Sequence, residues 1–408
     1  MRIVVANKFW YHRGGLERVM FDEIEWLEGA GHEIAHFSTN HPSNSASPWA
    51  AYFVPYLELG ADARLSMTQK AAAALRMFSN REAARLFSLL LRDFRPHIVH
   101  VHGIHRQISP SILAVARRHG IPVVQSLHDY HHVCPAADLL RGGVSPCDPR
   151  RCGRLCYGPC VAARCVRGGL AVSALAASET TWQAATRAYE RGVARFICPS
   201  AFMAEQMRRG GWTQPCDLVP NAVPSEPRCQ ASGDAFCVVG RLSREKGVGL
   251  ALEAARRAGV RVVVAGDGPV GAQLRGDYPE VEFVGSIDRL AVLSLMERSK
   301  ALCVPSIWFE NASMSVLEAM AAGTPVVASD IGGIPEQITH DLDGLLVRPG
   351  DVDALADAMR RLSRDSGLAG RLGTAAQRTV EARFAPAQHL DGLLRSYGAA
   401  IARAPECG

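Results

Sequence analysis

Residues 301–328 read ALCVPSIWFENASMSVLEAMAAGTPVVA, and the way this stretch divides decides the fold. Ala301 to Ser306 predicts a short buried strand that stops at Pro305. A loop carrying Trp308, Phe309 and Glu310 follows. Ser313 or Ser315 suits the cap of a helix that runs to about Ala322. Gly323 suits the left-handed position at a helix end, and Pro325 blocks continuation. Val326-Val327-Ala328 is then the next buried strand.

This unit carries two acids. Glu310 precedes the helix, and Glu318 lies inside it eight residues later. The backbone N–H groups of Ser315, Val316 and Leu317 open the helix and face the same space as Glu310. Such N–H groups, with the helix dipole behind them, bind phosphate. An acid beside a phosphate site is costly unless it binds something else, and sugar hydroxyls are the obvious partner. Taken alone, the spacing equally describes an ordinary helix with capping or solvated acids.

The stretch resembles the signature of the family 4 retaining glycosyltransferases of GT-B fold, an E-x7-E pair whose second acid opens E-A-M-A-x-G-x-P-V-V. The matching residues are Glu310, Glu318, Ala319, Met320, Ala321, Gly323, Pro325, Val326 and Val327. Ser313 departs from the usual Gly or Pro, though serine also suits a helix start. The resemblance implies an α/β protein of two Rossmann-like, doubly wound domains facing across a cleft. It implies retaining transfer of a hexose-type sugar from a nucleotide-diphosphate sugar to a glycan, lipid-linked or small-molecule acceptor. Glu310 would hold hydroxyls of the donor sugar and Glu318 those of the ribose.

At 408 residues, two domains of about 200 residues each are the natural division. Hydrophobic content of 48% against 21% charged is that of a globular chain. No apolar run approaches the roughly 18 residues of a spanning helix. Met1 to Ala6 lacks a small-residue cleavage site, so a cytosolic location is expected, extending to the inner face of the membrane. Residues 1–220 hold 25 Lys+Arg and 17 Asp+Glu, a charge of +8, and the remainder carries −3. The basic half points to an anionic surface or substrate. Nucleic acid is not an expected partner, because no basic cluster is interleaved with aromatics.

Along the chain, Arg2 to Ala6 predicts a buried strand, Gly14-Gly15 a turn, and Leu16 to Leu27 a helix. The glycines suit a tight turn or a close backbone approach to phosphate. The family resemblance extends here through Gly14, Gly15, Glu17, Arg18, Gly31, His32 and Glu33, and it implies that the glycines let donor and acceptor come close. Residues 61–95 read as helical, with Arg64, Lys70, Arg76, Arg81, Arg85, Arg92 and Arg95 opposite an apolar side that includes Leu65 and Met67. They suit packing on their own domain or an anionic membrane surface. The strand Pro122 to Leu127 delivers His128-Asp129-Tyr130 at its carboxyl end, where ligands bind in open parallel sheets. The resemblance puts such a histidine near the transferred sugar.

Six of the twelve cysteines fall in residues 134–165. In a cytosolic protein, clustered cysteines suggest metal before disulfide. Cys147, Cys152, Cys156 and Cys160 are the candidate ligands of a structural zinc, with reduced thiols or a redox pair as the other readings. A subset of the family has a similar H-D-Y…C-P cysteine-rich insertion. Leu218 to Val223 resembles the family's interdomain V-P-N-G-V segment, with Ala222 in place of the glycine. The expected domains are residues 1–218, with a returning helix in 385–408, and residues 219–384.

In the second domain Arg241 and Lys246 share one glycine-flanked loop and can both reach a diphosphate. Gly266 and Gly268 form a sharp turn beside a ligand. By resemblance, the backbone near Ile287 receives the base. Asp351-Val352-Asp353 reads as a helix opening rather than a metal motif. With two cations and helix N–H groups on the leaving diphosphate, no metal or other cofactor is required for catalysis. A GT-B sugar-nucleotide epimerase and a non-catalytic, metal-binding assembly protein are the competing classes.

Overall fold

The computed structural model describes residues 1–58, 66–225 and 233–403. It holds two six-stranded sheets, both wholly parallel. The first runs in space as Cys216–Leu218, Arg195–Cys198, Val123–Ser126, Ile98–Val101, Arg2–Ala6 and Glu33–Phe37. The second runs as Glu282–Gly285, Val262–Ala265, Phe236–Val239, Leu302–Val304, Val326–Ser329 and Leu345–Val347. Parallel strands covered on both faces need continuous apolar runs. Ile98–Val101, Val123–Ser126, Val262–Ala265 and Val326–Ser329 are buried at every position. The protein is thus α/β, built of two doubly wound domains.

The helix Pro386–Ile401 returns to the first sheet. Leu393, Tyr397 and Ala400 are buried against Ile3, Val5, Val124 and Ile197. Burying a side chain such as Leu393 contributes about 1.5–3 kcal/mol. The basic stretch read as helical over 61–95 is two helices, Met67–Phe78 and Arg81–Phe94. They separate because Asn80 caps the second, its side chain accepting from the Ala83 N–H at 3.0 Å. Phe87, Leu90 and Leu91 bury that helix on its own domain. Arg64 and Leu65 lie outside the described residues, as do the side chains of Met67 and Lys70. Among the described residues no helix is long and apolar enough to cross a membrane.

The decisive stretch folds as a strand Leu302–Val304, a loop, a helix Met314–Ala321 and a strand Val326–Ser329. Gly323 ends the helix at φ +71°. Ser313 occupies the cap position but makes no capping side-chain bond. Its hydroxyl faces that of Ser315 at 3.0 Å, and its backbone is clamped by the Gln337 amide, with Ser313 N–H donating at 3.0 Å and Ser313 C=O accepting at 3.0 Å. The clamp fixes Ser313 itself and leaves the first-turn amides without a side-chain cap.

The candidate active site between the two domains

The two domains meet through polar contacts that ring the cleft. Asn311 Nδ2 donates to the Leu127 carbonyl at 2.9 Å, and Ser200 Oγ donates to Asn311 Oδ1 at 3.0 Å. Glu336 accepts from the Ala201 and Phe202 N–H groups at 2.6 Å each, capping the helix Ala201–Arg209 from the opposite domain. Arg18 of the first domain pairs with Glu318 of the second. Gly15 also faces the second domain, since a Cβ there would lie 3.8 Å from Met314 Cγ.

Glu310 is the centre of the site. Three donors converge on its Oε1: Lys246 Nζ at 2.8 Å, Ser306 Oγ at 2.6 Å and Trp308 Nε1 at 2.9 Å. Burial pushes this carboxyl up, but the Lys246 charge and the three hydrogen bonds outweigh it and hold it below its ordinary value. Glu310 is therefore ionised, and Oε2 takes no part in these bonds. A carboxylate with one oxygen anchored and one left over can accept from a hydroxyl. The loop is held from behind by Gly332 at φ +65°, where a Cβ would sit 2.2 Å from the Glu310 carbonyl oxygen.

Arg241, Lys246, Ser306 and Ser315 line one cavity at the head of the helix. Arg241 is exposed. Gly266, at φ +133°, lies under this loop, and a Cβ there would come within 1.9 Å of the Gly240 carbonyl oxygen. Gly268 abuts Leu242 in the same way. One expectation needs correction: the Leu317 N–H closes the first helical turn on the Ser313 carbonyl at 3.3 Å, so it is not one of the free amides, and those of Ser315 and Val316 precede it.

Glu318 lies on a second cavity, of about 240 Å³, with Arg18, Val223, Arg289, Leu290 and Leu293. Burial raises the Glu318 carboxyl, and the Arg18 and Arg289 charges oppose that rise. Arg18 also donates through Nε to Asp22 at 2.9 Å. Ile287 is half-buried just before the helix Arg289–Glu297, whose residues wall this cavity. Asp351 caps the helix Val352–Arg364 by accepting from the Ala354 N–H, and Asp353 pairs with Arg257.

His128 is half-buried at the end of strand Val123–Ser126, next to Leu127, whose carbonyl holds Asn311. Its Nε2 lies 2.9 Å from His102 Nδ1. Burial pulls the His128 pKa down, so the ring is neutral.

The cysteine segment does not gather the four expected ligands. Cys156 is exposed, whereas Cys160 is buried with Val166 and Ala176 beside Cys152 and Cys165. Burial pushes the Cys160 and Cys134 thiols up, that of Cys134 to about 12. Among the described residues, three metal-type ligand atoms come within 4.8 Å of one another only at Glu23, His100 and His102. Cys160 packs with Cys165 and Cys152 in a small buried cluster. Metal analysis of protein purified without chelator should find no stoichiometric zinc lost on Cys160→Ser; about one equivalent, lost on that change, would restore the zinc site.

Ser306, Trp308, Asn311, Gly332 and His102 were not singled out from the sequence. The Gly332-Gly333 pair was the one local signal available, because adjacent glycines mark close backbone packing.

Two Rossmann-like domains thus face each other across a cleft that holds an ionised glutamate, two cations and a helix head. The chain matches the family described as Glycosyltransferase Family 4 over residues 13–226 and that described as Glycosyl transferases group 1 over residues 230–379. It belongs to glycosyltransferase family 4. It is 37% identical to an exopolysaccharide phosphotransferase of Streptomyces coelicolor over 37% of this chain and 17% of that protein. It is 35% identical to a glycogen synthase of Mycobacterium tuberculosis over 36% of this chain and 38% of that protein. The matches thus span less than half the length of these curated relatives. Similar solved structures include sucrose-phosphate synthase from Thermosynechococcus elongatus, with TM-score 0.70, 20% identity and coverage of 98% of this chain and 99% of the other. Anabaena HepE in complex with UDP and glucose gives TM-score 0.64 and 16% identity over 98% and 100%. At these identities the likeness is one of fold.

Proposed function

We propose that the protein is a retaining glycosyltransferase that moves a hexose-type sugar from a nucleotide-diphosphate sugar to a glycan or lipid-linked acceptor, in polysaccharide or glycoconjugate synthesis. The observation that carries the reading is Glu310: an ionised carboxylate with one oxygen fixed by three donors, at the head of a helix and beside two cations. Arg241, Lys246 and the helix N–H groups stabilise the charge that develops on the departing diphosphate, the usual dominant catalytic contribution. That positive charge makes a metal unnecessary. Glu310 orients the donor sugar, His128 contacts it near the reacting centre, and Glu318 holds the ribose. With no second carboxylate placed as nucleophile among the described residues, same-face substitution through an ion-pair-like state is the favoured route.

Residues 1–218, with the returning helix, form the acceptor side, and 219–384 the donor side. The arginines of the helix Arg81–Phe94 suit an anionic membrane face, which supports a lipid-linked acceptor. The test is a thermal-shift screen of nucleotide sugars beginning with UDP-glucose, followed by acceptor profiling with the best donor. Product containing both sugar and acceptor, with the anomeric configuration kept, is expected. A changed free sugar nucleotide without such product would assign an epimerase instead, and the absence of any turnover would overturn the enzyme reading.

A further inference from the structure

Behind His128 lies a buried chain of polar groups. His389, on the returning helix, sits with Nδ1 2.6 Å from the Pro220 carbonyl and Nε2 3.0 Å from Glu23 Oε1. Both partners only accept hydrogen bonds, so both ring nitrogens carry protons and His389 is an imidazolium. Its pKa is raised: burial opposes the rise, and the Glu23 hydrogen bond and charge outweigh it. Glu23 is fully buried and ionised, neutralised by His389.

The other Glu23 oxygen, Oε2, has no hydrogen-bond partner. It faces His102 Nε2 at 3.5 Å and His100 Nδ1 at 3.6 Å. The buried Tyr397 hydroxyl lies 2.8 Å from His100 Nδ1, and that nitrogen is where its proton goes. His100 then carries its own proton on Nε2, donated to Ser126 Oγ at 2.8 Å. A bare His100 Nδ1 offers Glu23 Oε2 nothing. The proton that this carboxylate oxygen attracts is therefore on His102 Nε2, the second atom of the pair without a partner. A proton on Nε2 leaves His102 Nδ1 bare, and it accepts from His128 Nε2–H across 2.9 Å. His128 is left with a bare Nδ1, which has no partner among the described residues.

We infer that His102 is a positioning residue that, with Glu23 behind it, fixes His128 as its Nε2–H tautomer and so makes Nδ1 an acceptor for a hydroxyl of the donor sugar. The role of His128 toward sugar rests on the proposed function; the tautomer chain does not. The spacing of Glu23, His100 and His102 would also admit a cation. The imidazolium of His389 already neutralises the carboxylate, and a dication beside it would be repelled. The charged and titratable groups facing His128 are His102, Glu23, Asp129, His389 and His100. The chain also ends on the carbonyl of Pro220, in the segment joining the domains, so the ring at the cleft and the connection between domains share one set of bonds.

The deciding experiment is 15N NMR of histidine-labelled, ligand-free protein, with kinetics of UDP release from UDP-glucose beside it. Wild type should show His128 with Nε2 protonated and Nδ1 bare. In His102→Leu the His128 ring should become a tautomer mixture, and kcat should fall about 10–100-fold with KM little changed. His102→Asn keeps an acceptor near the Nδ1 position and should recover most of both. A wild-type His128 protonated at Nδ1, a tautomer unmoved by His102→Leu, or stoichiometric zinc lost on that change would each overturn the inference. If the leucine variant does not fold, the wild-type spectrum and the asparagine variant still decide. The expected tautomers without any turnover of UDP-glucose would count against the donor assignment alone.

Discussion

Glu310→Gln should lower sugar transfer about 100–1,000-fold while leaving nucleotide-diphosphate binding near wild type. The amide oxygen can take the place of Oε1 under Lys246, Ser306 and Trp308. Its NH2 group then stands where Oε2 accepted, and a donor meets the sugar hydroxyl in place of an acceptor. Glu318→Gln should fail differently. Glu318 lies on the second cavity and is paired with Arg18, so its loss should weaken nucleotide diphosphate itself by roughly 1.5–3 kcal/mol. Calorimetry on both variants, with nucleotide diphosphate and with intact donor, separates the two. Loss of nucleotide diphosphate in Glu310→Gln with retention in Glu318→Gln would reverse the roles. If neither change has an effect, the helix is ordinary scaffold.

The second large effect distinguishes the two cations. Arg241→Ala and Lys246→Ala should each remove roughly 1.5–3 kcal/mol of charge-assisted interaction with the donor, seen in both donor affinity and turnover. Only Lys246→Ala should also destabilise the fold. Lys246 is 33% exposed but its partner Glu310 only 7%, and removing the lysine leaves a buried carboxylate without its counter-charge. That costs about 2–4 kcal/mol, below the figure for a fully buried pair because water reaches the lysine. The loss should be greatest above the ordinary carboxylate pKa, where Glu310 is charged in both states, and should fade as pH falls through its depressed folded value. Denaturant unfolding of both variants at neutral and acidic pH checks this. Equal stability of Lys246→Ala and Arg241→Ala at neutral pH would show that the lysine is not the partner of the carboxylate.

The pairing of Lys246 with Glu310 changes how the site is understood. The sequence places both beside the donor but does not show that they touch. In the folded protein the lysine holds the glutamate ionised at 2.8 Å as well as lining the cavity at the head of the helix. Arg18 likewise matches the family pattern near the first turn, yet its contact with Glu318, 300 residues away, exists only because the domains face each other.

The features legible along the chain are local in origin. Alternation of short apolar strands with amphipathic helices specifies the two parallel sheets, because strands covered on both faces must be apolar throughout. The punctuation by Gly323 and Pro325 sets the end of the central helix, and the motif around Glu310 and Glu318 identifies the family. Tertiary structure decided the contacts between distant residues. Ser313 looked like a side-chain cap, and Gln337 clamps its backbone instead. The cysteines read as zinc ligands by count, and packing puts Cys160 in an apolar cluster beside Cys152 and Cys165 while leaving Cys156 exposed. His102 follows the buried strand Ile98–Val101, and its place between Glu23 and His128 depends on a helix returning from the far end of the chain. Spacing along the chain reports hydrogen bonds within an element; those between elements depend on how strands and helices pack, and no local pattern records that.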